Sequence, residues 1–88
     1  MHEEQSLLEF PCRFPIKIMG RECPDFQDYV VDVISSHVGE ISTTDIAAKL
    51  SSKGNFLSIT VTISAQSREQ LDNVYRALTA SDRVLFVL

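Results

Sequence analysis

The chain is poor in the residue types that most often announce a chemistry. In 88 residues it has no tryptophan, two cysteines, two histidines, three glycines and three prolines. Gly20, Gly39 and Gly54 stand far apart, so no glycine-rich loop of recognised spacing is available to cradle a phosphate. His2, His37, Cys12 and Cys23 are scattered rather than clustered, which provides neither a metal-ligand spacing nor a nucleophile beside its base. No catalytic residue, metal or cofactor is therefore expected. Apolar runs fall well short of the ~20 residues of a spanning helix, and the opening Met1-His2-Glu3-Glu4 lacks the cationic start of a signal peptide. The expectation is a cytoplasmic protein without a membrane partner.

Positive charge is also scarce. Eight Lys and Arg stand against twelve Asp and Glu, a formal net charge of -4. That balance argues against an interface whose affinity comes from neutralising nucleic-acid phosphates. What is present is the ordinary composition of a small globule, 44% hydrophobic and 23% charged. A chain of this length has room for one core, so residues 1–88 are expected to form a single domain. Residues 1–9 would be a flexible or docking segment, since Leu7, Leu8 and Phe10 are large apolar side chains that a disordered tail does not need.

Periodicity sets the order of elements. Phe14, Ile16 and Ile18 alternate with Pro15, Lys17 and Met19, the period-two signature of a half-buried strand from Arg13 to Met19, with Gly20 ending it. Pro24 and Asp25 suit the first turn of a helix. Phe26, Val30, Val33, Ile34 and Val38 then form one apolar stripe, and Gly39 is placed to cap its end. Thr43 to Ser51 reads as a weaker strand with small side chains, suited to an edge. Leu57, Ile59, Val61 and Ile63 alternate strictly with Ser58, Thr60, Thr62 and Ser64, predicting a third strand over Phe56 to Ala65. Ser67 and Gln70 have capping-box spacing before a second helix carrying Leu71, Val74, Tyr75 and Leu78 and ending near Ala80. Val84 to Leu88 is an uninterrupted apolar run, read as a fourth strand. Cys12 and Cys23 flank the first strand. Extension at ~3.3 Å per residue holds them too far apart for a disulfide, and two free thiols are expected.

Strand, helix, strand, strand, helix, strand is the order of an α+β, ferredoxin-like βαββαβ fold. Both crossover helices must cover the same face of a four-stranded antiparallel sheet to bury their stripes, with the first and third strands central. The opposite face is left bare, with its Ser and Thr row exposed. A one-residue slip of the third strand would bury that row and expose four aliphatic residues, so the alternation also specifies register.

Specific stretches of sequence resemble a known family. The opening Leu7-Leu8-Glu9-Phe10-Pro11, the strand end Lys17-Ile18-Met19-Gly20, the hairpin Ser51-Ser52-Lys53-Gly54-Asn55-Phe56, the run Ser58 to Ile63 and the terminal Val87-Leu88 are similar to the YbeD-type small bacterial proteins over nearly the whole chain. The resemblance implies a ferredoxin-like fold close to the ACT regulatory domains and a loose association with lipoate metabolism. ACT domains commonly begin their first helix with a Pro-Gly-Leu-like sequence, where the glycine admits a ligand's backbone. Pro24-Asp25-Phe26 departs from this, because a carboxylate stands where the glycine would be.

Three surfaces are candidates for function. Ser52, Lys53, Gly54 and Asn55, with Ser51, offer hydroxyls, amides and one ammonium as an anion nest, although plain hairpin punctuation accounts for the same residues. The open face, with Ser58, Thr60, Thr62 and Ser64 beside Arg13 and Lys17, is the face that many RNA-binding domains of this topology use. It shows few aromatics for stacking, so RNA binding is the least favoured reading. The C-terminal run is apolar on both sides, with no charge, bulge or proline to discourage edge pairing. Leu85 and Val87, together with Leu7, Leu8 and Phe10, are thus expected to form a self-association or partner surface unless the N-terminal segment covers the edge. The chain reads as a non-enzymatic regulatory or interaction module meeting a protein partner. A sensor of a small metabolite is the alternative.

Overall fold

The structure is a computed structural model and describes residues 9–88. Six regular elements follow the expected order: β1 (Cys12–Arg21), α1 (Phe26–Val38), β2 (Ile46–Leu50), β3 (Phe56–Ala65), α2 (Arg68–Thr79) and β4 (Val84–Val87). The sheet is antiparallel with order β2-β3-β1-β4, so the two long strands are central and the two short ones form the edges. This is the ferredoxin-like α+β arrangement. Among the described residues no helix is long and apolar enough to cross a membrane.

The core is the sum of three apolar stripes. Ile16 and Ile18 of β1 and Ile59, Val61 and Ile63 of β3 meet Phe26, Val30 and Ile34 of α1 and Leu71, Val74 and Leu78 of α2 in one buried cluster. Both helices therefore lie on one face of the sheet. Ile16 stands opposite Val61, Ile18 opposite Ile59 and Phe14 opposite Ile63. That register places Lys17 against Thr60 and Met19 against Ser58 on the other face.

Local chemistry departs from the simple pattern at four places. Gly20 does not end β1. It is buried within the strand, which runs on to Arg21 through pairing with Leu57 and Phe56, and only glycine fits there because a side chain would collide with the Phe26 ring. The segment Thr43–Asp45 is a 3-10 turn instead of the start of a strand. The Ser42 hydroxyl accepts from the Thr44 amide at 3.3 Å, a local bond that competes with ladder pairing. At the start of α2, Ser67 accepts from the Gln70 amide at 3.1 Å as expected, but the Gln70 side chain reaches past it to accept from the Gln66 amide at 2.8 Å. Gln70 also donates to the carbonyl of His37 at 3.1 Å, tying the start of α2 to the end of α1.

The fourth departure is in β4, which was expected to be free of bulges. Phe86 pairs with Met19 and Val84 with Gly20, so Leu85 is an extra residue in the ladder. A bulge re-aims side chains. Val84 and Val87 both turn inward to pack on the core, whereas Leu85 and Phe86, neighbours in sequence, are both exposed. Both cysteines are free thiols.

Candidate functional site

The face left bare by the helices carries the hydroxyl row of β3. Its hydroxyl row is joined by residues that the sequence reading did not place there. Phe56 continues the row of Ser58, Thr60 and Thr62 and pairs with Arg21, whose guanidinium lies 6.0 Å from the centre of its ring. Phe86 lies across β1 beside Met19, and Lys49 stands opposite Ser58 on β2. The signal for Phe56 was available, since it falls on the even positions of the β3 alternation. Arg21 and Lys49 required knowledge of where β1 ends and how β2 is registered.

The open face is rich in positive charge. Arg13, Lys17, Arg21 and Lys49 share the open face by register. Arg13 is paired with Asp45. Lys17, Arg21 and Lys49 make no ion pair among the described residues. On the helix side, Asp25, Asp28 and Asp32 line a wide groove along α1 together with Arg83, which pairs with Asp25. A net anionic chain thus carries a locally cationic sheet face.

Between Lys17 and Lys49 the open face dips into a cavity of about 350 Å³. Met19, Leu50 and Phe56 supply its apolar lining, and Ser51, Ser52 and Ser58 supply hydroxyls. Of the hairpin residues singled out from sequence, Ser52 reaches this cavity, while Lys53, Gly54 and Asn55 stay exposed at the hairpin. The loop is held by its own bonds. The Gly54 amide donates to the carbonyl of Ser51 at 2.9 Å, Gly54 takes a positive φ of 74°, and the carbonyl of Asn55 accepts from the Glu22 amide at 2.9 Å.

The second surface is β4. Leu85 and Phe86 are 45% and 46% exposed and Leu88 is 66% exposed. Leu88 exchanges backbone hydrogen bonds with Lys17, at 2.8 and 3.2 Å, which fixes the end of the strand against β1. Val87 and Phe10 are both half-buried and pack against the core. Leu7 and Leu8 lie outside the described residues.

A third cluster anchors the start of α1. Arg83 grips Asp25 through both terminal nitrogens, at 2.6 and 3.3 Å, with its guanidinium 4.8 Å from the Tyr29 ring centre. The Cys23 thiol donates to the same carboxylate at 3.1 Å. The Arg83 and Cys23 hydrogen bonds together hold the Asp25 carboxyl down to about 2. The carboxylate at the start of α1 is thus engaged by the chain's own Arg83 and Cys23.

The sign of the resulting pH dependence follows directly. A carboxyl whose value is lowered on folding contributes stability at pH values above its unfolded value, and the contribution disappears as pH falls through the folded value. Asp25→Asn is therefore expected to flatten the acid limb of the stability curve between about pH 4 and pH 2. The pair is solvent-exposed, so the effect at neutral pH should be small. Urea denaturation from pH 2 to 7 for both proteins measures it, and parallel curves would mean that the Arg83 contact does not persist in solution.

A family model described as protein of unknown function (DUF493) matches residues 5–88. The chain belongs to this family. A UPF0250 protein of Paraburkholderia phytofirmans is 48% identical over 84 residues, covering 96% of this chain and 94% of the relative. UPF0250 proteins of Chromobacterium violaceum and Neisseria gonorrhoeae are 44% and 45% identical, over 86 and 83 residues, with 97% and 91% of each relative covered. The resemblance to YbeD-type proteins read from the sequence is thereby established. The relatives carry no name of an enzyme.

Proposed function

We propose that this DUF493 chain acts by binding rather than by catalysis, as a small interaction module that meets a protein partner through the side chains of β4. The observation that carries this reading is the bulge at Leu85. A regular four-residue strand would show alternate side chains to solvent, but the extra residue exposes Leu85 and Phe86 in succession, with Leu88 beyond them. Exposing adjacent large apolar side chains is unfavourable in an isolated chain unless another surface covers them. The bulge also twists the strand edge, which disfavours simple strand addition and leaves docking on side chains as the mode of contact.

A second copy of the chain is the occupant the test addresses first. Sedimentation equilibrium over a concentration series should show self-association that Leu85→Ser combined with Phe86→Ser abolishes, while the circular dichroism of the variant stays unchanged. If the unmodified chain is monomeric throughout, a partner of different sequence is required. In that case a pull-down compared between the chain and the double variant should recover a defined protein with the former only. Identical recovery by both would reject β4 as the surface. Val87 is not a useful probe, because it is half-buried on the core and its replacement would test stability instead.

A further inference from the structure

The geometry points to the cavity between Lys17 and Lys49 as a binding site for a phosphate monoester, a ligand class separate from the β4 contact. The argument begins with charge. Lys17 on β1 and Lys49 on β2 lie on the same sheet face, separated by β3, and both line the cavity with the Ser58 hydroxyl of β3. No carboxylate lines it. Two ammonium groups about one hydroxyl match a ligand carrying about two negative charges, which a phosphate monoester does near neutral pH and a carboxylate or phosphodiester does not.

Hydrogen-bonding capacity agrees with charge. Ser51 accepts from the Phe56 amide at 3.2 Å, which holds its oxygen in place and leaves its proton to be donated. Ser52 and Ser58 add two further hydroxyls, so the lining carries three hydroxyl donors, as many as a terminal phosphate has oxygens. The remaining lining, Met19, Leu50 and Phe56, is apolar and suits the ester's organic body in place of bare inorganic phosphate. The volume, about 350 Å³, lies at the small end of ligand pockets and fits a compact molecule. An extended single strand of nucleic acid is a poorer match. Phe56 is the one aromatic of this lining, so successive bases would find no second ring there to stack on, and Arg13, toward the other end of the face, is paired with Asp45.

The test is a two-dimensional amide NMR titration of the full chain with four probes: phenyl phosphate, inorganic phosphate, dimethyl phosphate and a single-stranded oligonucleotide. Phenyl phosphate should give saturable shifts at the amides of Met19, Lys49 and Ser58. Inorganic phosphate should compete for the same amides more weakly, and dimethyl phosphate should bind at least about tenfold more weakly than phenyl phosphate, as expected when one charge of the dianion is lost. Lys17→Gln and Lys49→Gln should each weaken phenyl phosphate about tenfold, and Arg76→Gln, on the exposed side of α2, should leave it unchanged. Leu85→Ser should also leave it unchanged, which separates this site from the β4 reading. Equal response to the mono- and diester, or shifts that do not centre on these amides, would overturn the proposal. Binding of the oligonucleotide that strengthens with its length would reassign the face to nucleic acid.

Discussion

Gly20→Ala is expected to destabilise the protein by about 2 to 3 kcal/mol, a fall in Tm of about 10 to 20 °C for a domain of this size. The reason is space, not backbone conformation. A methyl group built on Gly20 would lie 2.3 Å from Cζ of Phe26 and 2.7 Å from the carbonyl oxygen of Arg83. The first contact is with a ring that is itself 1% exposed and held among core side chains, so it cannot swing aside. The second is with backbone in the turn that leads into β4. Since native domains are stable by only about 5 to 15 kcal/mol, the loss is a large share of the total. Thermal and urea denaturation measure it. Adding Phe26→Leu in the Gly20→Ala background should recover part of the loss, because the two sites couple through a shared contact, but not all, because the Arg83 carbonyl remains. A change below about 0.5 kcal/mol would show that α1 does not pack onto β1 at this point.

The second large effect distinguishes the two faces of β3. Ile59→Ala is expected to cost about 2 to 5 kcal/mol, since Ile59 is fully buried, lies between Ile18 and Ala48 in the ladder and would leave a cavity that the helices cannot close. Thr60→Ala, one residue along, should change stability by about 0.5 kcal/mol or less, because its side chain lies on the open face between Lys17 and Ala47. Denaturant midpoints with unchanged slopes report both. Equal costs at the two positions would contradict the register on which the cationic face, the hydroxyl row and the cavity all depend.

The same alternation explains why the fold was legible before any coordinates. Leu57 to Ser64 can present its aliphatic residues to a core in only one register, and two helical stripes separated by a hairpin can bury themselves only by crossing back over one face. Edges and ends were less legible. Ser42, Thr43 and Thr44 have hydroxyls able to satisfy nearby amides, so the choice between strand and turn rests on energies of about 1 kcal/mol that no pattern encodes. The candidate site was legible only in fragments. In the sequence Ser52 stands out for its hairpin, Lys17 and Ser58 for the open face, and Lys49 for nothing beyond alternation in a weak segment. Their meeting at one cavity depends on β2 pairing with β3 five residues deep, from Ile46 opposite Val61 to Leu50 opposite Leu57.

The sequence by itself determined the order of elements and the buried side of β3, because these follow from side-chain period along the chain. Tertiary structure alone decided that Gly20 lies inside a strand beneath Phe26, that a bulge turns Leu85 and Phe86 outward together, and that Lys17, Arg21 and Lys49 of a net negative chain come to share one face of its sheet. Each of these depends on which strands become neighbours, and net charge, being a sum over the whole chain, carries no information about where in space the charges come to lie.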